Sequence, residues 1–459
     1  MMALAPVVGA TAKVPLVTGG YRPYTNLDLA ASGPALVEVR DAVDALLPWY
    51  SSVHRGTGYK SMVCTEIYEA AREVVRAFVG GRDDDAVLFT RNTTDSMNLL
   101  ASALPPGVAV IGFETEHHAN MLPWRRHRSH SLPAPESPAT AAADLDAALR
   151  SLVRKGEPCL VAVTGASNVT GEIWPIGELT EVAHRHGARV VLDAAQLAPH
   201  RAIDISALGV DYIAMSGHKL YAPYGAGVLV GRADWLGAAE PFLAGGGAVD
   251  FVTVDDVMWS TLPHRQEAGS PNVIGAVALA AACQALQAIG MDRVAEHETT
   301  LLADVERRLS AIPGIERYSL WGPDHPHIGM VTFNLEGYHH SFLAAVLSAE
   351  YGIGVRHGCF CAHPMMLRLL SVGEDCAEEI RGGLRDGHRV AIPGAVRASF
   401  GVGTSQDDID RLVEAVASVA ADGPKWDYAP VDGGEHYVPK PETRSMPPLA
   451  FGPAGIFGA

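Results

Sequence analysis

Tyr212-Ile213-Ala214-Met215-Ser216-Gly217-His218-Lys219 puts a lysine directly behind a short apolar run, and Gly225-Ala226-Gly227-Val228-Leu229-Val230-Gly231 adds a second run framed by glycines. Upstream, Val190-Val191-Leu192-Asp193-Ala194-Ala195-Gln196 ends another apolar run on an acid. Short apolar runs bounded by glycine and polar residues read as buried strands. Such runs recur at residues 86–89, 108–113, 159–164, 189–192, 212–215 and 226–230, with helical stretches such as 61–79 and 176–186 separating most of them. Buried strands alternating with helices imply a mainly parallel sheet covered on both faces. In such sheets ligands bind beyond the carboxyl ends of the strands. Thr93, His117, Asn168, Asp193 and Lys219 all fall there.

Composition narrows the class. The 459 residues are 48% hydrophobic, ample for a large core and two domains. A net charge of −17 repels phosphate backbones and argues against nucleic-acid binding. Six cysteines in so long a chain suggest no disulfide framework and fit a reducing cytoplasm. The first 17 residues lack a charged start followed by a long apolar core, so no signal peptide is expected. Residues 273–289 are Ala-rich and read as a buried helix rather than a membrane span. From about Gly290 a charged helix over 292–312 and a strand over 329–335 announce a smaller α/β unit. The expected division is 1–30 as a segment packing with the small domain, 31–290 as the large domain, 291–422 as the small domain and 423–459 as a tail. The tail's prolines and glycines suggest disorder, or a cover draped over a neighbour.

An acid and a lysine, each at the end of an apolar strand, suit pyridoxal 5'-phosphate (PLP). That cofactor needs a lysine amine to hold its aldehyde and a carboxylate to keep its ring nitrogen protonated. A surface lysine and a strand-end aspartate are the plain alternative. Leu88-Phe89-Thr90-Arg91-Asn92-Thr93-Thr94-Asp95 reads as strand, turn and helix start. A helix N-terminus is a ready phosphate site, although a simple helix cap explains the same residues.

Asp193-Ala194-Ala195-Gln196 together with Ser216-Gly217-His218-Lys219 resembles the class V aminotransferase-like PLP enzymes, and within them the cysteine desulfurase and selenocysteine lyase family. The likeness runs from about Val53 to about Val416. It implies PLP-dependent transferase fold type I: a large domain with a mainly parallel seven-stranded sheet, and a smaller C-terminal α/β domain. By family position Lys219 carries the cofactor and Asp193 pairs with its ring nitrogen. His117 stacks on the ring. Asn168 and Gln196 bond the ring hydroxyl. Thr93, Thr94, Ser216 and His218 hold the phosphate. Ser270, in Glu267-Ala268-Gly269-Ser270-Pro271-Asn272, would reach the phosphate of the other subunit, which implies a homodimer.

The string Val355-Arg356-His357-Gly358-Cys359-Phe360-Cys361-Ala362-His363-Pro364 resembles the active-site loop of cysteine desulfurases. The family's catalytic thiol falls on Cys361, and its substrate-carboxylate arginine on Arg397, where a planar fork suits the task. Arg356 and His54 are further substrate-contact candidates. Two other readings stay open for the loop. On an extended strand His357, Cys359, Cys361 and His363 share one face, as a zinc site would use; or Cys359 with Cys361 forms a structural or redox pair. No resident metal is expected. Cys359 and Phe360 stand where common desulfurases have His or Ser, the 365–396 interval is long, and the tail is unfamiliar. The expected activity is removal of sulfur from L-cysteine, giving alanine and an enzyme persulfide, with a sulfur-acceptor protein as partner and no membrane. The alternatives are a class V lyase, epimerase or aminotransferase with Cys361 incidental, and a partner-binding protein that is not an enzyme.

Overall fold

The computed structural model describes the chain apart from residues 155, 388, 389, 391, 432, 434, 446–450, 453–454 and 457–459, and gives backbone only for 451–452 and 455–456. Seven strands form the central sheet: β1 (Asp85–Thr90), β2 (Ala109–Phe113), β3 (Arg128–Leu132), β4 (Cys159–Thr164), β5 (Arg189–Asp193), β6 (Tyr212–Ser216) and β7 (Gly227–Arg232). Their order is β1-β7-β6-β5-β4-β2-β3. Strands β6, β5, β4, β2 and β3 pair in parallel, and β7 runs antiparallel to both of its neighbours. This is the mainly parallel seven-stranded sheet expected from the sequence.

Side-chain alternation explains the layers. Ile111, Val161, Val163, Val190, Leu192 and Ile213 point into one core, shared with helices Val37–Leu46, Tyr59–Phe78 and Val273–Ile289. Val110, Leu160, Ala162, Val191 and Tyr212 point into the other, shared with helix Thr93–Ala103. With both faces buried, these strands are apolar at nearly every position, which is why they stand out in the sequence. Strand β3 does not. It is an edge strand reading Arg-Ser-His-Ser-Leu, largely solvent-facing, and carries no hydrophobic signal.

A second core belongs to an antiparallel sheet of β8 (Ile315–Tyr318), β9 (Met330–Leu335), β10 (Arg356–Gly358) and β11 (Ala395–Ser399), in the order β8-β9-β11-β10. Helices Met291–Leu309, His340–Tyr351 and Gln406–Asp422 cover it. The N-terminal segment adds Leu27 to this core and pairs Thr25–Asn26 with Ile353–Gly354.

Of the tail over 423–459, the part up to Ser445 is described apart from residues 432 and 434 and packs on its own chain, and most of 446–459 lies outside the described residues. Tyr428–Val431 and His436–Pro439 pair as a hairpin against helix His340–Tyr351 of the same chain. Buried Glu350 organises its entry by accepting the Lys425 and Trp426 backbone N–H groups at 2.9 and 3.1 Å and the Tyr428 hydroxyl at 3.1 Å. Tyr437 packs edge-on to Phe342, with ring centroids 5.0 Å apart. One acid satisfying three donors holds this first part of the tail in place.

Among the described residues no single helix is long and apolar enough to cross a membrane. The pair Val273–Ile289 and Met291–Leu309 passes by length and composition but bends by 76°.

Candidate active site

The carboxyl ends of β4, β5 and β6 finish on Thr164, Asp193 and Ser216, and all three line one cavity of about 230 Å³. Antiparallel β7 brings its first residue, Gly227, opposite Ser216 on one side and Thr90 on the other. A Cβ on Gly227 would lie 2.5 Å from Asn92 Cα, so only glycine lets the turn into helix Thr93–Ala103 pass this close. Asn92 caps the helix by accepting the Asp95 N–H at 3.0 Å. Ser216 Oγ accepts the Thr93 N–H at 2.9 Å and lies 2.8 Å from Thr93 Oγ1. The helix start therefore opens on the cavity with N–H groups and hydroxyls gathered, the arrangement that binds anions. Thr94 and His218 line the same space.

Lys219 projects here without a short partner among the described residues, and burial pulls its amine down to about 8 despite the counter-pull of Asp193. Asp193 is buried, takes the Ala195 N–H at 3.0 Å, and is held above the usual carboxylate range by desolvation. His117 accepts the Ala119 N–H through Nδ1 at 3.0 Å, and burial, reinforced by Lys219, lowers it to about 3, so the ring is neutral. Gln196 donates to the Ala30 carbonyl at 2.8 Å and leaves a buried Oε1 with no partner among the described residues. Behind them Glu116, pushed by burial to about 8, accepts the Thr164 N–H at 2.9 Å and the Asn120 amide at 2.7 Å.

The opposite wall is the loop after β10. Strand geometry stops at Gly358, and Phe360 and Cys361 both adopt left-handed backbone, φ 53° and 57°. The shared strand face that a zinc site would need therefore does not arise. Two consecutive non-glycine residues in this region are strained and persist only when their surroundings over-determine them. Here Asn168 Nδ2 donates to the Phe360 carbonyl at 2.6 Å, the His118 N–H to the Cys361 carbonyl at 2.9 Å, and the Ala362 N–H to the Cys359 carbonyl at 3.0 Å. The Phe360 ring is buried under the Arg397 guanidinium, 4.8 Å away. Cys361 lines the cavity, close enough to Lys219 and Arg397 to act on their charges. Arg397 donates to the Asn168 carbonyl at 2.6 Å and keeps a buried Nε without a partner among the described residues. Arg356 lines the cavity mouth.

Twelve of the fourteen sequence candidates thus share one cavity. Ser270 and His54 do not. They meet in a second cavity of about 710 Å³, with Arg55, Asp250 and His264. His54 bonds Glu69 at 2.8 Å and stands edge-on to His264. The segment carrying Ser270 is anchored by Glu267, which accepts from Tyr68 at 2.8 Å, from the Phe89 N–H at 2.7 Å and from Arg72 at 2.8 Å. Sequence reading missed Asp28, which enters from the N-terminal segment with no local pattern to mark it. It also gave no role to Glu116, although the acid adjoins His117.

Residues 25–412 match the family model Aminotransferase class-V. A protein of Halalkalibacterium halodurans named "Probable cysteine desulfurase" is 35% identical over 86% of this chain and 92% of its own length. A cysteine desulfurase of Dickeya dadantii is 36% identical over 85% of this chain and 91% of its own. The apo structure of a cysteine desulfurase from Thermococcus onnurineus superposes with a TM-score of 0.76 at 30% identity, covering 91% of this chain and 99% of the other.

Proposed function

The chain belongs to the class-V aminotransferase family of PLP-dependent enzymes, and from that premise we propose that it is a cysteine desulfurase that takes sulfur from L-cysteine, leaving alanine and a persulfide on Cys361. The observation that carries this reading is the presence of Cys361, Lys219, Asp193 and Arg397 on one cavity.

The residues present fit the cofactor. The helix start at Thr93 and the Ser216 hydroxyl offer a phosphate cup, with Thr94 and His218 beside it. Asp193 suits a ring N–H, the orphaned Gln196 Oε1 suits a ring hydroxyl, and neutral His117 suits a ring face. When bound, PLP supplies the electron sink that loosens bonds around the substrate's α-carbon. The chain supplies the rest. Arg397 and Arg356 draw the substrate carboxylate into the cavity. Lys219, an amine held near neutrality, is suited to carry a proton at the substrate Cα. The Cys361 thiolate attacks the substrate sulfur.

The same reading makes the active form a homodimer in which Ser270 completes the partner's phosphate cup and His54 faces the partner's substrate. The separate cavity holding both residues supports it, as do exposed Phe251, Val254 and Met258 on the adjoining hairpin. The two cores support domains over 31–290 and 291–422 with residues 1–30 attached to the second. Six free cysteines support a reducing cytoplasm, where a sulfur-acceptor protein would collect the product.

Purified protein loaded with PLP and given L-cysteine should release alanine stoichiometrically with enzyme-bound or reductant-released sulfur. Pyruvate, ammonia and free sulfide in place of alanine, released by wild type and by Cys361→Ser at the same rate, would replace the desulfurase reading with a class V lyase.

A further inference from the structure

Next to the cavity, three side chains form a line of short contacts. Cys359 Sγ lies 3.1 Å from His363 Nε2. His363 Nδ1 lies 3.1 Å from His118 Nε2, and the two rings are within 9° of parallel. All three residues are half-buried. Burial holds both imidazoles below their ordinary range, so each is neutral, with one donor and one acceptor nitrogen. One tautomer pattern satisfies the whole line. The Cys359 S–H donates to His363 Nε2, and the His363 Nδ1–H donates to His118 Nε2. A nucleophile, a base and a group that orients the base is the constellation of an activated thiol. Burial keeps the Cys359 thiol above its ordinary range, while the Cys361 N–H aimed at its sulfur favours the thiolate. Cys359 therefore gives up its proton only to a base already in contact.

Among the described residues no imidazole is in hydrogen-bond contact with the Cys361 sulfur. That sulfur faces Lys219 and Arg397, and it is also near enough to Cys359 for the two thiols to feel one another's charge. The left-handed turn at Phe360 and Cys361 holds the two sulfurs on one loop, one toward the cavity and one toward His363.

We propose that Cys359 is a second sulfur carrier, taking the outer sulfur from the Cys361 persulfide with His363 as base and His118 as the residue that positions His363. This rests on the desulfurase reading above. The Cys359 sulfur attacks the outer sulfur, its proton passing to His363 Nε2. The bond between the outer sulfur and Cys361 Sγ breaks, and Cys361 leaves as a thiolate. One S–S bond forms and one breaks, so no oxidant or reductant is consumed. Sulfur moves from exposed Cys361 on the cavity to half-buried Cys359 beside it, and Cys361 is free for another turnover before any acceptor arrives.

The test uses the PLP-loaded enzyme with excess L-cysteine and neither reductant nor acceptor. Wild type should give a burst of two alanines per chain and Cys359→Ser a burst of one. Trypsin cuts after Arg356 and Arg368, so both thiols fall in a peptide with no other cysteine, and fragment masses after alkylation show which one carries sulfur. Wild type should show sulfur on Cys359. In His363→Gln the second alanine should appear about 100-fold more slowly, the usual worth of a positioned base, and the pH dependence of that phase should vanish. His118→Gln should slow the same phase and shift its pH profile. A one-alanine burst with sulfur confined to Cys361 overturns the relay and leaves the desulfurase reading standing. Sulfur on Cys359 in Cys361→Ser also overturns it, because Cys359 would then be loaded directly. No alanine from wild type removes both. The wild-type peptide map decides the matter even if a variant fails to fold.

Discussion

Asp28 Oδ1 stands 3.6 Å from the Arg397 guanidinium, too far for a hydrogen bond but close enough to hold its charge. The other Asp28 oxygen stands 3.7 Å from Arg356. One acid thus spans the two arginines proposed for the substrate carboxylate, and it uses up none of their donors. Burial lowers Arg397 to about 10 and raises Asp28, which is what two poorly solvated, loosely paired charges do.

Arg397→Lys should weaken L-cysteine by about 1.5–3 kcal/mol while PLP stays bound, because lysine keeps the charge and loses the paired N–H fork. Asp28→Asn should act the other way and lower KM, by about 1 kcal/mol or less for so loose a pair. Steady-state KM and the cofactor's visible band measure the two effects separately. An unchanged KM in Arg397→Lys would move the carboxylate site elsewhere.

Lys219→Ala should leave the protein without the yellow band of the wild type. In cofactor-free wild type, the rate of PLP uptake should rise with pH up to about 8 and then level, because only the unprotonated amine can attack an aldehyde and burial sets its midpoint there. Stopped-flow absorbance reads this. A midpoint near 10.5, the ordinary lysine value, would show that the cavity does not desolvate the amine.

Cys361→Ser should abolish formation of the first alanine and keep the cofactor's absorbance, since the thiolate acts on the substrate sulfur and not on PLP. Full alanine release from the variant would remove Cys361 from the chemistry.

Acid should loosen the fold before it strips carboxylate pairs. His117 is lowered to about 3, and His340 and His357 to about 4, from 6.5, mainly by burial. Between these values the unfolded chain binds protons that the native chain refuses. Stability is therefore full above about pH 6.5 and is lost as pH falls toward 4. Urea midpoints across this window should fall, and His340→Gln should flatten the slope. A flat wild-type profile would contradict the assigned neutrality.

A homodimer should appear in sedimentation, and Ser270→Ala should weaken PLP without changing the dimer's mass. A fully active monomer would refute the shared site.

Much of the site was written in local sequence. Strands buried on both faces must be apolar throughout, so Asp193, Ser216 and Lys219 could be placed at strand ends by counting along the chain. The first turn at Thr93 and the 355–364 loop carried their own patterns. Strand β3 was invisible because an edge strand has no second buried face to demand apolar residues. What needed the folded chain is whatever depends on distant segments meeting. Asp28 arrives beside Arg397 only because the N-terminal segment joins the second core. The left-handed backbone at Phe360 and Cys361 exists because Asn168 and His118, from two other loops, hold its carbonyls. The contact of Cys359 with His363 and His118 follows from that turn, and the separation of Ser270 and His54 from Lys219 follows from the path of the chain around the sheet. Periodicity reports which face of an element is buried. It carries no information about which neighbour is packed against it, and that was settled by tertiary packing alone.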